Sequence, residues 1–254
     1  MGYDALLSSR HIETEQILGI RFFKGTPANA VAFMLENGGL LVAPSGTCFE
    51  RFVHDADYRR AIMSADIALP DSGLMVSLWQ LLRRRTVARI SGLAYLKQLL
   101  ASPTLGPTTC WVLPNERSRA GLLQWSATQE GLVSGDNCYL APIYGAEVRD
   151  QVLLARINAQ RPPHIVIAIG AGAQEKLGWY LREEADYRPA IHCIGGALGF
   201  ITGEQTAIPD WADRLYLGWF LRFLSQPRVF VPRLWKARVL PGLILKYGER
   251  LPPV

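Results

Sequence analysis

Short, unbroken runs of Val, Ile and Leu, set apart by stretches of helical periodicity, constrain this chain more than any other feature. Residues 39–43, 67–69, 110–113, 138–141, 164–169 and 191–194 form such runs, and 17–22 precedes them. A strand whose successive residues are all apolar is buried on both faces, the signature of a parallel sheet covered by helices. Between the runs, residues 27–36 (entered through Thr26), 48–63, 74–82, 93–100, 117–128, 148–159 and 173–184 read as helices. The expected fold class is therefore α/β, a mostly parallel Rossmann-like sheet with helices on both faces. Open sheets of this kind bind ligands beyond the carboxyl ends of their strands. The loops after residues 43, 69, 113, 141, 169 and 194 are the places to look for a site.

Composition supports a packed domain. Of 254 residues 49% are hydrophobic and 19% charged, which excludes a disordered or low-complexity chain. The longest apolar stretches, 165–169 and 239–245, fall far short of the ~20 residues that a membrane span needs. No basic segment followed by an apolar one opens the chain, so no signal peptide is expected. Cys48, Cys110, Cys138 and Cys193 lie far apart without a CxxC pair and are expected to stay reduced. Cys48 with His54 lacks a second ligand pair at zinc-site spacing, so no metal site is expected. His164 and His192 sit in apolar strands and read as structural.

Charge is unevenly placed. Residues 211–254 carry eight basic side chains against Asp213 and Glu249, a local charge of +6, which leaves 1–210 near −1. The same segment holds Trp211, Trp219, Phe220, Phe223, Phe230 and Trp235. A basic, aromatic, amphipathic segment fits an anionic surface, either a membrane face or a phosphate-bearing ligand. It equally fits a helix that packs its aromatic face on the domain and points its arginines to water. The reading is an α/β core over 1–210 with a basic helical appendage over 211–254. Nucleic acid is a third partner for such charge, but no RNP, helix-turn-helix or zinc signature accompanies it.

The loops at the strand ends are rich in small residues: Pro44-Ser45-Gly46-Thr47, Pro70-Asp71-Ser72-Gly73, Gly170-Ala171-Gly172-Ala173-Gln174-Glu175 and Gly195-Gly196-Ala197. Small residues let backbone N–H groups approach a ligand, and helix N-termini favour anions. The third loop is not the full G-x-G-x-x-G fingerprint, and it comes late in the chain. Asp71 reads from its position first as an N-cap, and otherwise as a general base at a strand end. Arg89 reads as a solvated charge beside Arg83-Arg84-Arg85. Glu175 reads as a first-turn acid favoured by the helix dipole.

Taken in order, several of these pieces resemble the WecG/TagA/CpsF glycosyltransferases, glycosyltransferase family 26. The carrying residues are Leu69-Pro70-Asp71-Ser72-Gly73, Arg89-Ile90-Ser91-Gly92, the loop 170–175, the stretch 195–203, then 207–211 and 218–224 with Pro227-Arg228 behind. The likeness is collinear from about residue 17 to about 236. It implies an inverting transfer of a sugar, N-acetylmannosamine or another hexose, from a UDP-sugar to a polyprenyl-(di)phosphate-linked saccharide. That chemistry serves bacterial cell-surface polysaccharide synthesis, at the inner face of the cytoplasmic membrane. No metal or other cofactor is implied beyond the UDP-sugar substrate, and a homo-oligomer is compatible with it. A catalytically impaired membrane-associated scaffold that keeps the fold is the alternative.

Carried over residue by residue, the resemblance implies Asp71 as the base and Arg89 as a group facing the diphosphate. Ser45, Gly170, Gln174, Gly195 and Gly196 would bind the donor. Arg222 and Arg228 would be phosphate-binding residues of the appendage, with Arg228 one position out of the usual register. The chain also departs from the family pattern. Ala43-Pro44-Ser45 stands where T-x-N is usual, and Ala94 where an Asp follows R-V-T-G. Pro114-Asn115 replaces Gly-Gly, Gly172 replaces a Pro, and Gly199 replaces an Asp.

Overall fold

The structure, a computed structural model, describes residues 12–46, 48–129, 133–203, 235 and 237–253. In chain order its elements are β1 (Thr14–Ile17), β2 (Ile20–Phe23), α1 (Pro27–Asn37), β3 (Gly39–Val42), α2 (Cys48–His54), α3 (Ala56–Met63), β4 (Ile67–Ala68), α4 (Gly73–Arg83), α5 (Gly92–Leu100), β5 (Cys110–Leu113), α6 (Glu116–Ala127), β6 (Cys138–Leu140), α7 (Gln151–Gln160), β7 (His164–Ile167), α8 (Ala173–Glu184), β8 (Ala190–Cys193), α9 (Ala197–Ile201) and α10 (Val239–Tyr247). The eight strands form one sheet in the order β1-β2-β4-β3-β8-β7-β5-β6. Every pairing is parallel except β1 with β2. This is the α/β architecture that the apolar runs predict.

All four residues of β3, β5, β7 and β8 are buried. Alternate side chains feed two separate cores. One face packs Phe52, Tyr58, Trp79, Leu153 and Leu181 from α2, α3, α4, α7 and α8. The other packs Met34, Tyr95, Leu99, Leu122 and Leu198 from α1, α5, α6 and α9. Each such side chain stabilises the fold by ~1.5–3 kcal/mol relative to exposure, which explains runs without polar alternation. His192 lies fully buried on the second face, where its Nδ1 bonds the Tyr95 hydroxyl at 2.8 Å and its Nε2 lies 3.3 Å from His164 Nδ1.

Two expected elements differ. Residues 17–22 are not one strand but a hairpin, β1 and β2, turned at Leu18-Gly19 with φ of 53° and 84°. Two consecutive positive φ values make the tight turn that suits strand twist. The 48–63 helix breaks at Asp55, whose carboxylate accepts from Tyr58 N at 2.9 Å and caps α3.

The far end of the chain returns to this hairpin. Leu240 and Ile244 of α10 are fully buried against α2 and α4. Beyond α10, the Gly248 and Glu249 carbonyls accept from Leu18 N and Gly19 N, each at 2.8 Å. Arg59, buried beneath the C-terminal strap, donates to Phe52 O at 2.9 Å, Pro252 O at 2.7 Å and Pro253 O at 3.1 Å. Residues 239–253 of the expected appendage therefore pack on the α/β core, while residues 204–234 lie outside the described residues.

Candidate functional site

The parallel strand ends of β4, β3, β8 and β7 open on one edge of the sheet, and their loops meet there. Asp71 follows β4. The N-cap of α4 is its neighbour Ser72, whose hydroxyl accepts from Met75 N at 3.1 Å. Asp71 therefore does not cap α4. Its carbonyl accepts from Arg89 Nε at 2.8 Å, and its Oδ1 accepts from Gly92 N, the first residue of α5, at 3.2 Å. Arg89 Nη2 stands 3.8 Å from the same oxygen. An N–H at a helix start and a guanidinium both favour negative charge at that oxygen. The Asp71 side chain keeps 26% of its surface exposed, whereas that of Arg89 keeps 11%, so Arg89 is an inward cation and not a solvated one.

Gly92 ties this corner to the centre of the sheet. A Cβ placed on it would lie 3.2 Å from Ile194 O, 3.7 Å from Ala197 Cβ and 3.8 Å from Ala43 Cβ. The β3, β4 and β8 loops therefore converge on the first turn of α5. Ser45, in the β3 loop, is half-buried; its hydroxyl lies 3.4 Å from Cys48 Sγ, and its carbonyl accepts from Cys48 N at the start of α2. A Cβ on Gly46 would sit 2.9 Å from Ser72 Oγ, so the β3 and β4 loops abut.

The β7 and β8 loops form the other half. Gly170 has φ 103° and, among the described residues, no atom within 4 Å of an added Cβ, which leaves its backbone open to them on that side. Gly172 has φ 97°, and the space of its missing side chain is filled by the Arg51 guanidinium, which donates to Ala171 O at 2.7 Å. Gln174 is 1% exposed; its Oε1 accepts from Gly195 N at 3.0 Å, and its Nε2 donates to Glu175 Oε1 at 3.0 Å. Glu175 Oε2 in turn accepts from Gly172 N at 2.5 Å. Burial pushes the Glu175 carboxyl above the ordinary carboxylate range, against the pull of Gln174, Gly172 N and Arg51. Gly195 is half-buried and Gly196 exposed at the rim.

The structure thus gathers Asp71, Arg89, Ser45, Gly170, Gln174, Gly195 and Gly196 along one edge. Arg222 and Arg228 lie outside the described residues. His54 is exposed on α2, and Asn115 caps α6 by accepting from Ser118 N at 3.0 Å. Sequence reasoning missed Arg51 and gave Glu175 only as a first-turn acid favoured by the helix dipole. Part of the signal for Glu175 was present, since an acid three residues after Gly172 has the spacing at which a first-turn carboxylate reaches back to the N-cap N–H, and that bond forms here.

Comparison with known proteins shows the family of this chain. A family model described as "Glycosyl transferase WecG/TagA/CpsF family" matches residues 15–251. The chain is also 27% identical, over 183 residues, to the N-acetylglucosaminyldiphosphoundecaprenol N-acetyl-beta-D-mannosaminyltransferase of Bacillus subtilis (strain 168), covering 69% of this chain and 67% of that protein.

Proposed function

Since the chain belongs to the WecG/TagA/CpsF glycosyltransferase family, and is thus a glycosyltransferase of cell-surface polysaccharide synthesis, we propose that it moves N-acetylmannosamine or another hexose from a UDP-sugar to a polyprenyl-(di)phosphate-linked saccharide, with inversion at the anomeric carbon. The carrying observation is the placement of Asp71. Its carboxylate is excused from capping α4, is part-exposed, and is aimed by Gly92 N and Arg89 at the edge where the loops converge. In this reading the acceptor hydroxyl attacks the anomeric carbon as Asp71 takes its proton, the bond from that carbon to the diphosphate oxygen breaks, and UDP leaves. The leaving diphosphate gains negative charge. Arg89, the N–H groups of Gly170, Ala171 and Gly196 in the two glycine loops, and Arg222 and Arg228 of the appendage would stabilise it. This scheme draws its positive charge from side chains and N–H groups and calls for no metal.

The acceptor is lipid-linked in this reading, so the enzyme works at the inner face of the cytoplasmic membrane. Among the described residues no helix is long and apolar enough to cross a membrane. Exposed Leu81 on α4, Leu245 on α10 and Trp235 accompany the exposed cations Arg84, Lys246 and Arg238. Apolar groups beside cations suit the headgroup region of an anionic leaflet. The sugar is the least constrained part, because Ala43-Pro44-Ser45 presents a methyl and a hydroxyl where the family pattern has Thr and Asn.

The test is transfer from a panel of UDP-sugars to a polyprenyl-diphosphate-linked N-acetylglucosamine, by the wild type and Asp71→Asn. Loss of a general base predicts a rate at least ~10²-fold lower in the variant, with UDP affinity kept. Turnover by neither protein, with UDP bound by both, would favour the scaffold reading. Equal turnover would remove Asp71 from the mechanism.

A further inference from the structure

We propose that Glu175 is a positioning residue whose ionised form is required to hold the β7 and β8 glycine loops in register as one cradle for the donor's diphosphate. The inference rests on reading those loops as the nucleotide-sugar site. Hydrogen-bond parity imposes this requirement. The chain of contacts runs from Gly195 N to Gln174 Oε1, from Gln174 Nε2 to Glu175 Oε1, and from Gly172 N to Glu175 Oε2. Both ends are backbone N–H groups, which only donate. The Gly195 donor fixes the orientation of the Gln174 amide, so its NH2 must face Glu175. Glu175 therefore meets a donor at each oxygen, and only a carboxylate accepts at both. A proton on Glu175, or an amide in its place, sets two donors against each other in a fully buried site.

The groups facing this carboxylate are few. From α2 come the Arg51 cation and the Cys48 thiol, from α3 the Tyr58 hydroxyl, and from β8 the Cys193 thiol. Burial and the neighbouring carboxylate push all three neutral groups upward, so they stay protonated near neutral pH, and Arg51 is the balancing charge. Cys193 Sγ also donates to Gln174 O at 3.2 Å, which holds the main chain of the relay to β8. A carboxyl raised by burial is one that acidification reaches early.

Exchanging the two side chains, Gln174→Glu with Glu175→Gln, restores every pairing: Gly195 N–H to the new carboxylate, the new amide NH2 to the same carboxylate, and Gly172 N–H to the amide oxygen. Glu175→Gln breaks the pairing by opposing two donors, and Gln174→Glu sets two buried carboxylates against each other, a repulsion that only a shared proton relieves. Binding of UDP to the full-length protein is measured by calorimetry for the wild type, both single variants and the exchange, with thermal melts alongside.

The single variants should bind UDP roughly tenfold more weakly, and the exchange should regain at least half of that loss on a logarithmic scale. In turnover, Glu175→Gln should raise the donor KM more than it lowers kcat, because it touches no reacting atom. On acidification, UDP affinity should fall more steeply in the wild type than in Glu175→Gln. Wild-type affinity in Glu175→Gln, or an exchange no better than the single variants, overturns the inference. If Glu175→Gln fails to fold, the exchange decides: folded and within tenfold of the wild type supports parity, unfolded or without UDP binding refutes it. A wild type that binds no UDP refutes the assignment of the site itself, which is a distinct result.

Discussion

Removing residues 239–254 should cost this enzyme its fold before it costs any chemistry. Leu240 and Ile244 are fully buried, and returning both to water loses ~3–6 kcal/mol. The cut also strips the carbonyl partners from Leu18 N and Gly19 N at the tight turn, and two of the three carbonyls bonded to the buried Arg59. Each buried donor left without a partner costs about 1–3 kcal/mol, more when it is charged. The combined loss, on the order of 5–10 kcal/mol, is comparable to the whole stability of a typical domain. A chain ending at residue 238 should therefore melt at least ~10 °C below the full-length protein, or fail to fold. Arg59→Met and Leu240→Ala, made singly in the full chain, should each lower stability by ~2–5 kcal/mol. The measurement is urea unfolding followed by circular dichroism, with thermal melts of the shortened chain. A shortened chain that melts within ~3 °C of full length would show that the strap rests on the surface and is not part of the core.

Two further outcomes follow from particular contacts. Desolvation holds His192 at a pKa of about 3, with His164 beside it lowered by the same cause; the unfolded chain takes up that proton near pH 6.5, so the unfolded state binds more protons throughout the window between, and stability falls as pH drops through it. At pH 5 the His192 contribution is ~2 kcal/mol, and the loss in urea midpoint between pH 7.5 and pH 5 should be smaller for His192→Gln than for the wild type; equal losses would refute the assignment. For the membrane face, Leu81→Glu combined with Leu245→Glu should reduce flotation with phosphatidylglycerol-containing vesicles at least ~10-fold, and unchanged flotation would move the lipid contact elsewhere.

What the sequence disclosed, and what it hid, follows from how far each signal reaches along the chain. Continuous apolar runs report burial on two faces, a property of each strand alone, and so the parallel sheet and its loop edge were legible. The hairpin was not, because Leu18-Gly19 carries no Asn-Gly or Asp-Gly signal. Its positive φ at Leu18 is held by Gly248 and Glu249, some 230 residues away in sequence. The α10 segment was ambiguous for a related reason. An apolar stripe flanked by cations reads alike whether its partner is a bilayer or a core, and only the buried Leu240 and Ile244 against the exposed Leu245 show that it meets a core on one side. Glu175 was legible as a first-turn acid but not as a buried one, because the groups that enclose it, Cys48, Arg51, Tyr58 and Cys193, come from other elements.

Asp71 shows how one position of register decides a functional argument. Pro70-Asp71-Ser72-Gly73 offers two capping residues in succession, and either could have closed the first turn of α4. Had Asp71 been the cap, its carboxylate would face the N–H groups of its own helix, and replacing it would lower stability and activity together. The hydroxyl of Ser72 takes that task, and the Asp71 carboxylate reaches across to the first N–H of a different helix, α5, next to Arg89. An Asn at position 71 still offers its amide oxygen to Gly92 N while losing the charge that would accept a proton. Asp71→Asn should thus melt within a few degrees of the wild type, so that loss of transfer in that variant reports on chemistry and not on folding. A melting temperature lowered as far as that of Ser72→Ala would instead mean that residue 71 carries the helix after all.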